Sequence, residues 1–220
     1  MKDKFAVYGT AGFGREVMPL VRAQMHGAAD IVFVADDHKM YGLLHNGQRI
    51  ISFAEAADEG RDFTIAIANS EIRWKLADKI AAAGLKFFSV KAESTIIYDQ
   101  VEIGEGAILC AGVIITSNVV IGKQFHANLY SYVAHDCRIG DFVTFAPNVS
   151  CNGNVVIEDN VYVGTGAIIK QGTPEKPLII GAGAVIGMGA VVTKSVAAGV
   201  VVIGNPAKPL IKYTEITNGS

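Results

Sequence analysis

The chain has 220 residues, 50% of them hydrophobic and 18% charged, which excludes a disordered or fibrous polypeptide and provides a core for one large or two small domains. With 19 basic and 21 acidic side chains the formal charge is −2, so no net field attracts a nucleic-acid backbone. No apolar run reaches the roughly 18 residues of a membrane span, no signal sequence precedes Phe5, and Cys110, Cys137 and Cys151 fit neither a disulfide framework nor a zinc site. The expectation is a cytoplasmic protein with no nucleic-acid or membrane partner.

In chain order, a strand over 5–8 meets Gly9-Thr10-Ala11-Gly12-Phe13-Gly14, and Val17, Leu20 and Val21 then give 15–25 a helical period. A second strand over 31–35 ends at Asp36-Asp37. After an Asn46-Gly47 turn and Phe53-Ala54-Glu55 comes a strand over 63–68, then a helix over 71–83 capped by Asn69 or Ser70 and ended by Gly84, then a strand over 85–90. Alternating strands and helices make residues 1–92 a small parallel α/β domain of Rossmann type.

From Ile97 the period changes to six. Thirteen consecutive hexads, 97–174, run without a slip, and eleven of the thirteen lead residues are Ile, Leu, Val or Phe, the others being Ala127 and Cys151. The fifth position is mostly small or β-branched, and Gly often follows the lead, as at Gly104, Gly122, Gly140 and Gly164. About five extra residues around Pro174-Glu175-Lys176-Pro177 form a loop before the pattern resumes at Ile180, Ile186 and Val192. Each hexad predicts one short strand with its lead pointing inward, while Gly, Asn and Asp turn the corner. Three hexads close a coil, giving about five coils of a parallel β-helix over 93–220.

Two regions of this pattern can carry chemistry. Gly9, Gly12 and Gly14 lie where a strand enters a helix, so backbone N–H groups converge on a space suited to phosphate. The order GxxGxG differs from the dinucleotide fingerprint, and 90 residues supply only one mononucleotide half, which favours a nucleotide diphosphate over NAD. Asp36, or Asp37 beside it, could bind ribose or a base edge. In the hexads, His135 holds an outward corner position where an imidazole can act as general base, with Asp136 next to it and Asn128 one edge earlier. His126 has no acidic neighbour and reads as a solvated surface residue. Cys137 and Cys151 point into the core and are inert. With two histidines in this half, no metal is expected.

The opening Gly-Thr-Ala-Gly-Phe-Gly-Arg-Glu, the segment His135-Asp136-Cys137-Arg138-Ile139-Gly140-Asp141 and the ending Gly204-Asn205-Pro206-Ala207-Lys208-Pro209 together resemble bacterial sugar acyltransferases of the left-handed β-helix superfamily. The resemblance is strongest to the nucleotide-linked amino-sugar N-acetyltransferases that make acetamido-4,6-dideoxyhexoses for surface glycans such as O-antigen. It implies a left-handed helix, a homotrimer with sites between prisms, and acetyl-CoA as co-substrate. It also implies that Gly9, Gly12, Phe13, Gly14, Arg15, Asp36 and Asp37 hold the nucleotide, and that Asn128 touches the sugar. His135 is then the base on the amine and Asp136 its orienting carboxylate. Gly153 lies by the thioester, and Gly164, Gly187, Asn205, Pro206 and Lys208 line the CoA channel. Thr144, nine residues after His135, stands where some relatives have a second histidine and is counted with the acetyl-CoA contacts. The reading favours dTDP over UDP or GDP as the nucleotide. Its rivals are a sugar O-acetyltransferase and a non-catalytic sugar-nucleotide-binding scaffold.

Overall fold

The computed structural model describes residues 3–210; the part of the expected 93–220 unit beyond residue 210 lies outside them. The N-terminal half has β1 (Lys4–Tyr8), α1 (Gly12–Gln24), β2 (Asp30–Val34), β3 (Leu44–His45), β4 (Gln48–Ile51), α2 (Phe53–Asp58), β5 (Asp62–Ile65) and α3 (Ser70–Ala82). The sheet order is β3-β4-β2-β1-β5, parallel except for the β3–β4 hairpin at Asn46-Gly47. The central strand β1 lies between β2 and β5, so its carboxyl end, where Gly9 follows, is the point at which ligands bind in open α/β sheets. Asn69 caps α3 by accepting from the Ile72 N–H at 2.9 Å. The strand expected over 85–90 does not form: Phe87 makes only a single bridge to Phe63, and Val90–Lys91 pairs instead with Ile108–Leu109 in the next unit.

That unit is a left-handed parallel β-helix. Partners along each face are 18 residues apart, as in Ile114 with Tyr132 and Val120 with Arg138. In chain order, the first face has eight strands, the last antiparallel, the second face six and the third five, among the described residues. There are thus more coils than the five expected, because Val90–Lys91 adds a rung before the hexads and Val201–Ile203 adds one after them. Across the loop Ile157 pairs with Ile180, 23 residues on, which is one coil plus five residues. The leads from Leu109 to Val192 are all buried, forming one aliphatic column with the fifth positions.

The corners differ from the expected rule. From Gln100 to Gly166 every sixth residue has a positive φ, including Asn118 (+59°), Asp136 (+59°) and Asn154 (+55°). This fourth hexad position turns the chain, and Asn and Asp tolerate it. The glycines after the leads answer a different need: a Cβ on Gly164 would lie 2.6 Å from the Met188 backbone N of the next coil.

The two halves share one interior. Ile108 and Cys110 of the first face pack with Val17, Phe33 and Ile50, and Phe142 packs with Leu76 and Ile80. Arg73 of α3 is fully buried and spans the junction. Its Nη1 donates to the carbonyls of Ile67 (2.7 Å) and Ala68 (3.0 Å), and its Nη2 to the Phe142 carbonyl (2.6 Å) and Thr144 Oγ1 (3.0 Å). No helix in the described residues is long and apolar enough to cross a membrane.

Candidate active site

His135 projects from the corner between the second and third faces, its side chain 60% exposed. Its Nδ1 lies 2.7 Å from Asp136 Oδ2, so the contact that sequence adjacency left open is made. Asn118, one coil earlier, donates its amide to Asp136 Oδ1 at 3.2 Å. The hydrogen bond from His135, followed by that from Asn118, holds the Asp136 carboxyl below the usual carboxylate range. An ionised carboxylate accepting from Nδ1–H leaves the imidazole lone pair on Nε2, the tautomer a general base requires. Asn118 was missed in the sequence, although the 18-residue period places it against Asp136.

One coil further along the same corner, Gly153 sits against the imidazole. A Cβ there would come within 2.6 Å of Nε2 and Cε1, so the ring occupies space that only glycine leaves free. Cys137 and Cys151 are buried in the column, as expected, with Cys137 Sγ donating to the Asn152 carbonyl at 3.2 Å.

Asn128, Gly164 and Gly187 lie on the neighbouring edge, between the first and second faces, near the chain's return at Asn205, Pro206 and Lys208. Asn128 is buried and its Nδ2 donates to the Phe145 carbonyl at 3.1 Å. Gly187 accommodates Ile203, whose Cγ2 would be 2.7 Å from a Cβ. Lys208 pairs with Ile203 in the closing antiparallel strand. In one chain these residues stand a full prism face away from His135.

At the N-terminal crevice, Gly9 has φ +113° and no room for a side chain beside the Ala66 carbonyl. Gly14 packs onto the Gly9 carbonyl, fixing α1 against β1, whereas Gly12 faces open space and Arg15 is exposed. Asp36 accepts from the Tyr8 hydroxyl at 2.7 Å and lies 3.6 Å from Lys79 Nζ. Burial first, then Asp36, pushes the Tyr8 phenol well above its ordinary pKa.

Four readings need correction. Phe13 turns inward rather than toward the open turn, its ring centroid 5.2 Å from that of His126. His126 is no surface residue but completely buried, because the α/β domain covers the first face; burial, then the charge of Arg73, drives its pKa well below the ordinary value. Thr144 is likewise buried at this junction, its hydroxyl donating to the Ala68 carbonyl at 3.1 Å and accepting from Arg73, so its side chain faces the α/β domain rather than an open channel. Asp37 caps the short 3-10 turn His38–Met40 through the Lys39 N–H at 3.0 Å.

An α/β crevice joined to a hexapeptide prism with a carboxylate-oriented histidine at an open corner defines a transferase of the hexapeptide-repeat class. Residues 4–80 match the PglD N-terminal domain family. The chain is 48% identical to a GDP-perosamine N-acetyltransferase of Escherichia coli O157:H7, over 94% of this chain and 96% of that one. Among solved structures it is similar to WeeI from Acinetobacter baumannii AYE, with 53% identity, TM-score 0.91 and coverage of 96% and 100% of the two chains. It is also similar to the acetyltransferase domain of PglB from Neisseria gonorrhoeae FA1090 in complex with acetyl coenzyme A, with 30% identity, TM-score 0.84 and coverage of 96% and 100%. The chain belongs to the family of hexapeptide-repeat sugar N-acetyltransferases that includes GDP-perosamine N-acetyltransferase.

Proposed function

We propose that this protein transfers the acetyl group of acetyl-CoA to the amine of a nucleotide-linked 4-amino-4,6-dideoxyhexose. The observation that carries this reading is the His135–Asp136 pair, 2.7 Å apart and open to solvent beside Gly153, in a chain 48% identical along nearly its whole length to a GDP-perosamine N-acetyltransferase. That relative moves GDP ahead of dTDP, which the sequence alone favoured.

The neutral amine attacks the thioester carbonyl, the new C–N bond forms, and His135 Nε2 takes the amine proton. As the C–S bond breaks, CoA leaves as the thiol with that proton. A neutral amine is already a good nucleophile toward a thioester, so no acyl-enzyme is needed; positioning, base catalysis and backbone N–H groups facing the oxyanion suffice. Gly9, Gly12, Gly14, Arg15 and Asp36 are assigned to the nucleotide, and Asn128 to the sugar.

The catalytic unit is proposed to be a cytoplasmic homotrimer. The outward residues of the second face, Ile96, Ile114, Tyr132, Ile168 and Val191, form an apolar stripe, with Ile96 47% and Ile168 43% exposed. A neighbouring prism seated there would bring its Gly164–Gly187 edge toward His135, uniting site residues that one chain holds apart.

The test is thiol release from acetyl-CoA with GDP-, dTDP- and UDP-linked 4-amino-4,6-dideoxyhexoses and their hydroxy counterparts. Turnover on one amino sugar is expected. Activity confined to a hydroxy sugar would make the enzyme an O-acetyltransferase, and silence throughout would contradict acetyl transfer to this class of acceptor.

A further inference from the structure

The five-residue insertion interrupts the prism at the same corner that carries His135. The leads Val133, Cys151, Ile169 and Val192 are stacked partners on the second face. The positions two residues beyond them, His135, Gly153, Gln171 and Lys194, therefore follow one another along one edge. Between the inserted loop and the last coil lies a concavity of about 730 Å³, whose lining includes Lys170, Gln171, Lys176, Thr193, Lys194 and Ser195.

Three ammonium groups from three separate segments thus face one space. None of them is in an ion pair among the described residues, and Glu175 of the same loop is not part of the lining. The walls are fixed. Thr173 and Lys176 exchange backbone hydrogen bonds at 3.0 and 3.1 Å, and the loop is rooted on the His135 corner by Gly172 N–H to the Gly153 carbonyl and Leu178 N–H to the Asn154 carbonyl. Lys170 N–H donates to the Val192 carbonyl and Ser195 Oγ accepts from Ile179 N–H, so the last coil is held in register with the loop. Convergent, unpaired lysines on a fixed framework suit a ligand carrying several phosphate charges.

We propose that this cavity holds the diphosphate and 3′-phosphate end of coenzyme A, with Lys170, Lys176 and Lys194 as its phosphate ligands; this rests on acetyl-CoA being the acyl donor. The distance supports it. Stacked coils are spaced about 4.8 Å apart, so the Lys194 corner lies roughly 14 Å from His135, three coils away. The pantetheine arm has about twelve bonds from sulfur to the first phosphate oxygen, as many as four peptide residues, and so spans roughly 14 Å when extended. A thioester at His135 and Gly153 therefore delivers its phosphates to the lysines.

The experiment compares acetyl-CoA with S-acetylpantetheine, which lacks the phosphates, as donors for wild type and for the Lys170→Ala, Lys176→Ala and Lys194→Ala variants singly and together, alongside calorimetric CoA binding without acceptor. Each single change is expected to raise the acetyl-CoA KM and the CoA Kd roughly five- to tenfold, and the triple change about a hundredfold, because each removes a charge-assisted contact partly screened by solvent. The kcat and the kcat/KM for S-acetylpantetheine should stay unchanged, and Lys194→Arg should restore most of the affinity. Equal losses with both donors, or wild-type CoA affinity in the triple variant, would overturn the assignment while leaving the acetyltransferase reading intact. A wild-type protein that neither binds CoA nor uses either donor would overturn both.

Discussion

Two edges of the prism are built from the same hexad, yet glycine serves opposite ends on them. Along the edge between the first and second faces, Gly164 and Gly187 lack side chains because the next coil occupies the space: a Cβ would meet the Met188 backbone N at 2.6 Å in one case and Ile203 at 2.7 Å in the other. Along the edge between the second and third faces, the space beside Gly153 is filled by the His135 imidazole, 2.6 Å from where a Cβ would stand. The first arrangement stacks coils and the second seats a base. A repeat that needs close approach at its corners already supplies positions where a side chain is missing, and a catalytic ring can be housed in one of them.

That contrast can be broken by mutation. Gly164→Ala pushes a methyl into backbone that has no rotamer to yield, so it should cost about 3 kcal/mol of stability. Thermal unfolding would register it, with kcat per folded molecule unchanged. Gly153→Ala meets only the imidazole, so the Tm should move little while the ring is displaced. A misplacement on the order of 1 Å costs about a hundredfold in rate, which steady-state kinetics would show as a fall in kcat. If Gly153→Ala instead unfolds the protein and keeps its kcat, the two glycines serve the same purpose.

Asp136→Asn sharpens the comparison at the level of charge. The left-handed backbone at this corner is already adopted by Asn118, Asn148, Asn154 and Asn160, so the change removes a carboxylate without straining the turn. Losing the group that orients the imidazole should lower kcat roughly 10- to 100-fold with the Tm nearly constant. Preserved kcat would show that the 2.7 Å contact is only structural.

The smallest effect belongs to the junction. Burial holds the pKa of His126 below its ordinary value in the folded protein, so the unfolded chain binds the additional proton. The stability tied to neutral His126 is complete above pH of about 6.5 and is lost as the pH falls below it, by up to about 1.4 kcal/mol per pH unit. Unfolding of His126→Gln between pH 7.5 and 5.5 should show a shallower pH dependence than wild type.

The prism was readable because every hexad buries the same two positions, and the insertion declared itself as a displaced Ile180. His135 was readable because its neighbour in sequence is also its partner in space. What escaped depends on contacts between segments far apart in the chain. His126, Thr144 and Phe13 look like exposed residues until the α/β domain is seen to cover the first face; the outward positions Val90 and Ile108, both buried, were the available hint, falling 18 and 36 residues before His126. Arg73 gave no sign of its role, since its partners at Phe142 and Thr144 lie about 70 residues away. The glycine turn was legible as a turn, but the partners of Asp36 and the capping by Asp37 depend on how the β2 end meets Tyr8 and the following 3-10 turn.

The central claim is that the corner imidazole takes the amine proton. Its most direct test is His135→Ala, assayed for acetyl transfer at saturating acetyl-CoA and, separately, for binding of the nucleotide-linked amino sugar. The account predicts a loss of about 10²- to 10⁴-fold in kcat with the sugar-nucleotide Kd within a few-fold of wild type. Wild-type kcat in that variant would remove His135 from the chemistry.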